Sequence, residues 1–204
     1  LFWDESFTYE SVQKKLEVIE NHSKRRIFTN TCNAAFLAML SKKLPGDITF
    51  FKFIFHTQGK YTYTNIAIDL LPHAISFILQ LFGVREIKKF KYKLLENNFI
   101  CSFIYGDVDV ELDFQEKIDG KKNLSFITND IKFERIQRGK GKNYVVSFRS
   151  SNDNSISEVR DPFEVYISKF IDYCNHGANY YNDSFCEDKN NLLLMAKILE
   201  LIKL

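Results

Sequence analysis

Asp69 and His73 are the two residues whose types and spacing best suit proton transfer. They stand four apart in an otherwise apolar stretch, a spacing that stacks both side chains on one face of a helix. A carboxylate beside an imidazole fixes the ring's tautomer and favours its protonated form, and histidine titrates near neutral pH. Oxidising an alcohol to a ketone needs a base for the hydroxyl proton, and the reverse reaction needs an acid; such a pair can serve both. The spacing alone leaves a second role open, that of a buried salt-bridged or capping pair. Pro72 lies between the two. Proline removes a ladder donor, so the helix is expected to begin close to Asp69 or to kink there.

The elements that position the pair follow from periodicity. Val12, Leu16 and Ile19 recur at helical spacing and predict a helix from about Ser6 to Lys24. Ile27 and Phe28 centre a short strand, Arg26 to Asn30. Ala34 to Lys43 reads as a second helix closed by Pro45-Gly46. Ile48 to His56 is nearly all β-branched or aromatic and predicts a strand; Asn65 to Phe82, ended by Gly83, predicts a buried helix. Six strand-like stretches come next: Lys88–Leu95, Phe99–Tyr105, Val108–Gln115, Asn123–Thr128, Ile131–Gln137 and Tyr144–Phe148. Turn signals at Asn97-Asn98, Gly106-Asp107, Asp119-Gly120 and Gly139–Gly141 favour antiparallel neighbours. Ser150 to Ser157 is polar and reads as an exposed loop. Asp161-Pro162 opens a helix to about Asn175, and a last helix runs from about Asp188 to Lys203. The fold class is α+β: a mostly antiparallel open sheet with helices packed on one face.

Bulk composition narrows the function classes. With 204 residues, 45% hydrophobic and 26% charged, the chain can bury one sizeable core. A net charge of +2 gives no electrostatic case for nucleic acid, and the basic cluster Lys24-Arg25-Arg26 fits a helix C-terminal end. Cys32, Cys101, Cys174 and Cys186 match no zinc spacing and contain no C-x-x-C, so free thiols in a reducing cytoplasm are expected and no metal site. No run of about eighteen apolar residues and no signal-peptide layout is present, so no membrane role is expected. The first residue is Leu1, which suggests a processed product, a fragment or an engineered chain.

Ile68-Asp69-Leu70-Leu71-Pro72-His73-Ala74-Ile75, leading into an apolar helix that ends Leu81-Phe82-Gly83, resembles the signature of the Gfo/Idh/MocA oxidoreductase family. In that family an Asp-x-x-x-His pair opens the helix that lines the substrate pocket. The first helix and Arg26–Asn30 resemble the end of its Rossmann domain. The strand-rich middle resembles its open sheet, and Asp161-Pro162-Phe163-Glu164 onward its C-terminal helices. The resemblance implies residues 1–31 as the remnant of a dinucleotide-binding domain and 32–204 as a substrate-binding and oligomerisation domain. It implies His73 as the catalytic acid/base and Asp69 as its partner. Asn30 and Asn33 would flank the strand that joins the domains, with loop capping as the alternative role. His56, Gln58 and Tyr63 would meet substrate hydroxyls, with surface or core roles as alternatives. The implied cofactor is NAD or NADP, and the implied partners are a sugar or cyclitol substrate and further copies of the chain, as dimer or tetramer through the sheet. Three departures stand out. Thr64-Asn65-Ile66-Ala67 replace the glycines that usually precede the Asp, the Asn30–Asn33 stretch lacks the arginine common there, and no G-x-G-x-x-G is present. Nor does the chain contain the family's Glu-Lys-Pro.

Two further readings accompany the enzyme part. One is a non-catalytic module that keeps the sheet for assembly; the other is a ligand-binding α+β domain of no particular family.

Overall fold

The computed structural model describes residues 8–21, 35–139, 144–176 and 178–202. The expected strand Arg26–Asn30, the boundary at 31/32 and the candidates Asn30, Cys32 and Asn33 lie outside them.

Eight strands form one sheet. They are β1 (Phe50–Thr57), β2 (Ile87–Leu95), β3 (Asn98–Tyr105), β4 (Val108–Glu116), β5 (Asn123–Thr128), β6 (Ile131–Arg138), β7 (Val145–Ser150) and β8 (Ile156–Val159). The order across the sheet is β2-β3-β4-β1-β5-β6-β7-β8. β2–β3–β4 and β5–β6–β7–β8 pair antiparallel, as expected from short connections, whereas β4 and β5, joined through Asp119-Gly120, do not pair because β1 inserts between them. Its pairing with β4 is parallel and its pairing with β5 antiparallel. The expected open α+β sheet is thus observed, with one parallel pair in it.

Around the sheet lie α1 (Tyr9–Asn21), α2 (Ala35–Leu40) with a 3-10 turn at Ser41–Lys43, α3 (Thr64–Phe82), α4 (Pro162–His176) and α5 (Ala178–Leu201). Strand alternation sends Phe51, Phe53, Phe99, Phe103, Val110, Leu112, Phe114, Phe126 and Phe133 into the core. Helix α3 meets them with Ile66, Leu70, Leu71, Ala74, Phe77 and Ile78, all buried. Phe77 lies 5.0 Å from Phe53 and 5.3 Å from Phe126 between ring centroids. Each such side chain contributes about 1.5–3 kcal/mol by leaving water. That packing explains why a 19-residue helix apolar enough by composition to cross a membrane lies instead against the sheet. Helix α1 packs on α5 through Val12, Leu16 and Ala196, and the Tyr9 amide donates to Glu200 at 2.6 Å.

Three expectations need correction. Helix α3 does not start near Asp69 but at Thr64, and it runs through Pro72 to Phe82 without interruption. Packing on both sides of the proline outweighs one missing ladder bond. The polar segment 150–157 is not a plain loop, because it ends in the edge strand β8, with Ile156 paired to Arg149 and Val159 to Val146. Helix α5 begins at Ala178, ten residues before the expected Asp188.

Candidate active site

The segment between β1 and α3 is tied down at three points. The Gln58 amide donates to the Gly120 carbonyl at 3.0 Å, which fixes the segment to the β4–β5 turn. The Tyr61 amide donates to Glu116 at 2.9 Å, and the Tyr63 amide to the Glu96 carbonyl at 2.9 Å. Tyr63 takes a φ of 51°, a left-handed conformation that costs a non-glycine residue on the order of 1 kcal/mol. Helix α3 starts immediately after it.

Asp69, Leu70 and His73 face one cavity of about 540 Å3. Its floor is Phe55, Thr57 and Leu124 from the ends of β1 and β5. Gln58, Gly59, Lys60 and Tyr61 form one side, Arg135 and Gln137 of β6 another. A volume of this size falls in the range that encloses small ligands. A second hollow of about 330 Å3 adjoins it and shares Tyr61 and Asp69.

His73 is half-buried, with its ring edge-on to Phe55 at 5.1 Å and 88°. Burial pulls the imidazole below its ordinary value, and the Asp69 charge opposes that without overcoming it. The ring is therefore mostly neutral at pH 7 and able to accept a proton.

A third acid stands beside the pair. Glu116 is the last residue of β4, placed opposite Thr57 by the parallel register, and its side chain is 1% exposed. One carboxyl oxygen, Oε2, accepts from the Tyr61 amide. The other, Oε1, is buried and meets no donor from the rest of the chain. The Asp69 carboxyl stands close enough to Glu116 to act on it, and two carboxyl groups hydrogen-bond only when one of them keeps a proton. Burial and the Asp69 carboxyl raise Glu116 from 4.5 to about 7, against the pull of the Tyr61 amide. Glu116 thus keeps its proton to near neutral pH and can donate it toward the Asp69 carboxyl. Gly59 is required by this arrangement: a Cβ there would lie 1.9 Å from Glu116 Oε2.

The candidates from sequence divide as follows. Asp69, His73, Gln58 and His56 all line the 540 Å3 cavity. The His56 ring, however, reaches Asp113, Nε2 to Oδ1 3.3 Å, on the sheet face away from Phe55. That contact, helped by Asn98 at 3.2 Å, holds the Asp113 carboxyl below its usual range. Tyr63 is exposed and lines neither hollow. Asn30 and Asn33 lie outside the described residues. Sequence reasoning missed Glu116, Lys60, Lys122 and Arg135. The one signal for Glu116 was an acid at the end of an alternating strand, which usually points to solvent.

No protein-family model matches the chain, and no curated protein matches it in sequence. Solved structures do match in fold. An oxidoreductase from Thermotoga maritima superposes with a TM-score of 0.63 at 11% identity, over 95% of this chain and 65% of that one. YvaA from Bacillus subtilis, described as an oxidoreductase, gives 0.61 at 13%, over 96% and 69%. A 3-ketoreductase from Actinomadura kijaniata, solved in complex with TDP-benzene and NADP, gives 0.59 at 13%, over 93% and 65%. The chain thus spans about two thirds of their length. The chain shares its fold with that portion of each of these oxidoreductase structures.

Proposed function

We propose that this chain forms the substrate-binding part of a NAD(P)-dependent oxidoreductase acting on a sugar, sugar-nucleotide or cyclitol. The reading is carried by one observation: Asp69 and His73 project from one face of α3 into a cavity large enough for a hexose, with the imidazole mostly neutral. Fold likeness to oxidoreductases, one of them holding NADP, supports it.

The nicotinamide would supply or take the hydride. Among the described residues no glycine-rich turn joins a strand to a helix, so none of them is assigned to the dinucleotide. What this chain's residues do is handle the substrate and its proton. An imidazole nitrogen of His73 takes the hydroxyl proton as the carbon is oxidised, and returns it to the carbonyl oxygen in the reverse direction. Asp69 stabilises the imidazolium formed in the first direction and accepts from a neighbouring hydroxyl. Glu116 holds Asp69 through the shared proton, and Phe55 fixes the ring plane of His73.

In the longest native protein that carries this chain, His73→Ala is expected to lower kcat at least roughly a hundredfold. Cofactor affinity should change by no more than about twofold. Unchanged turnover removes His73 from the mechanism. The alternative reading is a non-catalytic module of the same fold. An intact native protein with no NAD(P)-dependent turnover on any polyol would select it.

A further inference from the structure

Three cations line the cavity, and none pairs with a carboxylate among the described residues: Lys60, Lys122 and Arg135. Arg135 is the fixed one. Its guanidinium lies over the Phe36 ring at 5.4 Å and donates to the Tyr144 hydroxyl at 3.1 Å. With the Gln137 amide turned so that its oxygen faces them, that oxygen accepts from Arg135 Nη2 at 2.7 Å and from the Tyr144 hydroxyl at 2.6 Å. Every one of these contacts is to a neutral group. They orient the guanidinium without cancelling its charge, and they leave the two N–H donors of Nη1 unused.

Register places this cation relative to the proton-transfer pair. Phe55, under His73, pairs with Leu124, and the pairing of Ser125 with Glu134 brings Leu124 alongside Arg135. Two strand spacings therefore separate the Phe55 and Arg135 backbones, about 10 Å. Lys122 precedes β5 and Lys60 precedes α3; both are exposed and reach the cavity from its mouth. The acid pair Asp69–Glu116 and the imidazole occupy one side, and an uncompensated guanidinium occupies the other.

We infer that the substrate carries an anionic group, phosphate or carboxylate, which seats against Arg135 and is flanked by Lys122 and Lys60, several bonds from the carbon that reacts near His73. A planar, pre-oriented guanidinium suits either group through paired N–H donors. The inference rests on the cavity being the substrate site, and it narrows the substrate class to polyols bearing an anion.

The test is equilibrium binding to the 204-residue chain, by calorimetry, of three named probes: glucose, glucuronate and glucose 6-phosphate. At least one anionic probe should bind tighter than glucose by roughly tenfold or more, and the tighter of the two identifies the group. Arg135→Gln should erase that preference and Arg135→Lys retain part of it, with folding checked by thermal melts. If Arg135→Gln fails to fold, the surface double variant Lys60→Gln/Lys122→Gln carries the test through a threefold or greater loss of preference, on the order expected for exposed charges. Equal binding of all three probes, no binding of either anion, or a folded Arg135→Gln that keeps the preference overturns the inference. The His73→Ala chain should keep the preference intact. A failed turnover experiment therefore leaves this result standing, and the two readings fail separately.

Discussion

Glu116→Gln tests the shared proton directly. A glutamine in this position can accept from the Tyr61 amide with its oxygen and donate to Asp69 with its nitrogen, so it reproduces the protonated acid and removes its titration. The wild-type carboxyl binds its proton more tightly folded, at about 7, than unfolded, at 4.5. Between those values the native state holds more protons than the unfolded one. Stability from this group is therefore greatest below the unfolded value and is lost as pH rises through the window, levelling off above about 7. At face value the difference is about 3 kcal/mol. The cavity is open to water and the site is coupled, so about 1–2 kcal/mol is the figure to expect. For a chain of this size that is a Tm difference of about 3–6 °C. Thermal melts of both proteins in steps from pH 4.5 to 8 give the comparison, because titrating groups other than Glu116 and its neighbour Asp69 cancel between them. Glu116→Gln should match the wild type near pH 4.5 and exceed it increasingly up to pH 7. A difference that stays constant across this range, or a glutamine variant less stable at pH 8, would show that the two carboxyls do not share a proton.

Gly59→Ala should push the Glu116 carboxyl off the Tyr61 amide and cost about 1–3 kcal/mol; combined with Glu116→Ala the cost should be clearly less than additive, measured by denaturant melts. The sheet face away from α3 carries Ile100, 38% exposed, opposite Lys93 of β2 and Asp113 of β4, with a Lys52–Glu111 ion pair at 2.9 Å farther across it. Light scattering at micromolar concentration should report a dimer or tetramer that Ile100→Lys weakens; a monomer would refute assembly through that face.

Much of the fold was legible because local chemistry and tertiary demand agreed. β5 was placed to the residue, and β2, β3, β4 and β6 to within one residue at each end, because apolar and aromatic residues fill them and turn residues bound them. The failures have specific causes. β8 is a four-residue edge strand in which polar Ser157 shares the inward face with Val159 and Ile156 lies exposed, so no apolar alternation marks it and the segment reads as loop. The first turns of α5 are rich in Tyr, Asn and Asp and weak in helical periodicity, so only the later apolar repeat announced the helix. At Pro72 a local rule was overruled by Leu70, Leu71, Ala74 and Ile75, all buried against the core.

The site was legible only where it was local. Asp69 and His73 share a helix, and four-residue spacing is visible in any sequence. Glu116 is 47 residues from Asp69, and Arg135 is 62 from His73. They join the site because β1 inserts between β4 and β5, an order set by which strands bury which faces and not by any neighbouring residues. The parallel register then puts Glu116 beside Thr57, and the antiparallel one puts Leu124 beside Phe55. A slip of one residue in either pairing would turn Glu116 or Arg135 to the opposite sheet face and take it out of the cavity. The proton pair is thus a property of one helix, whereas its acid neighbour and the cation across from it are properties of the topology. Any chain that kept the Asp-x-x-x-His spacing but changed this strand order would keep the pair and lose what surrounds it.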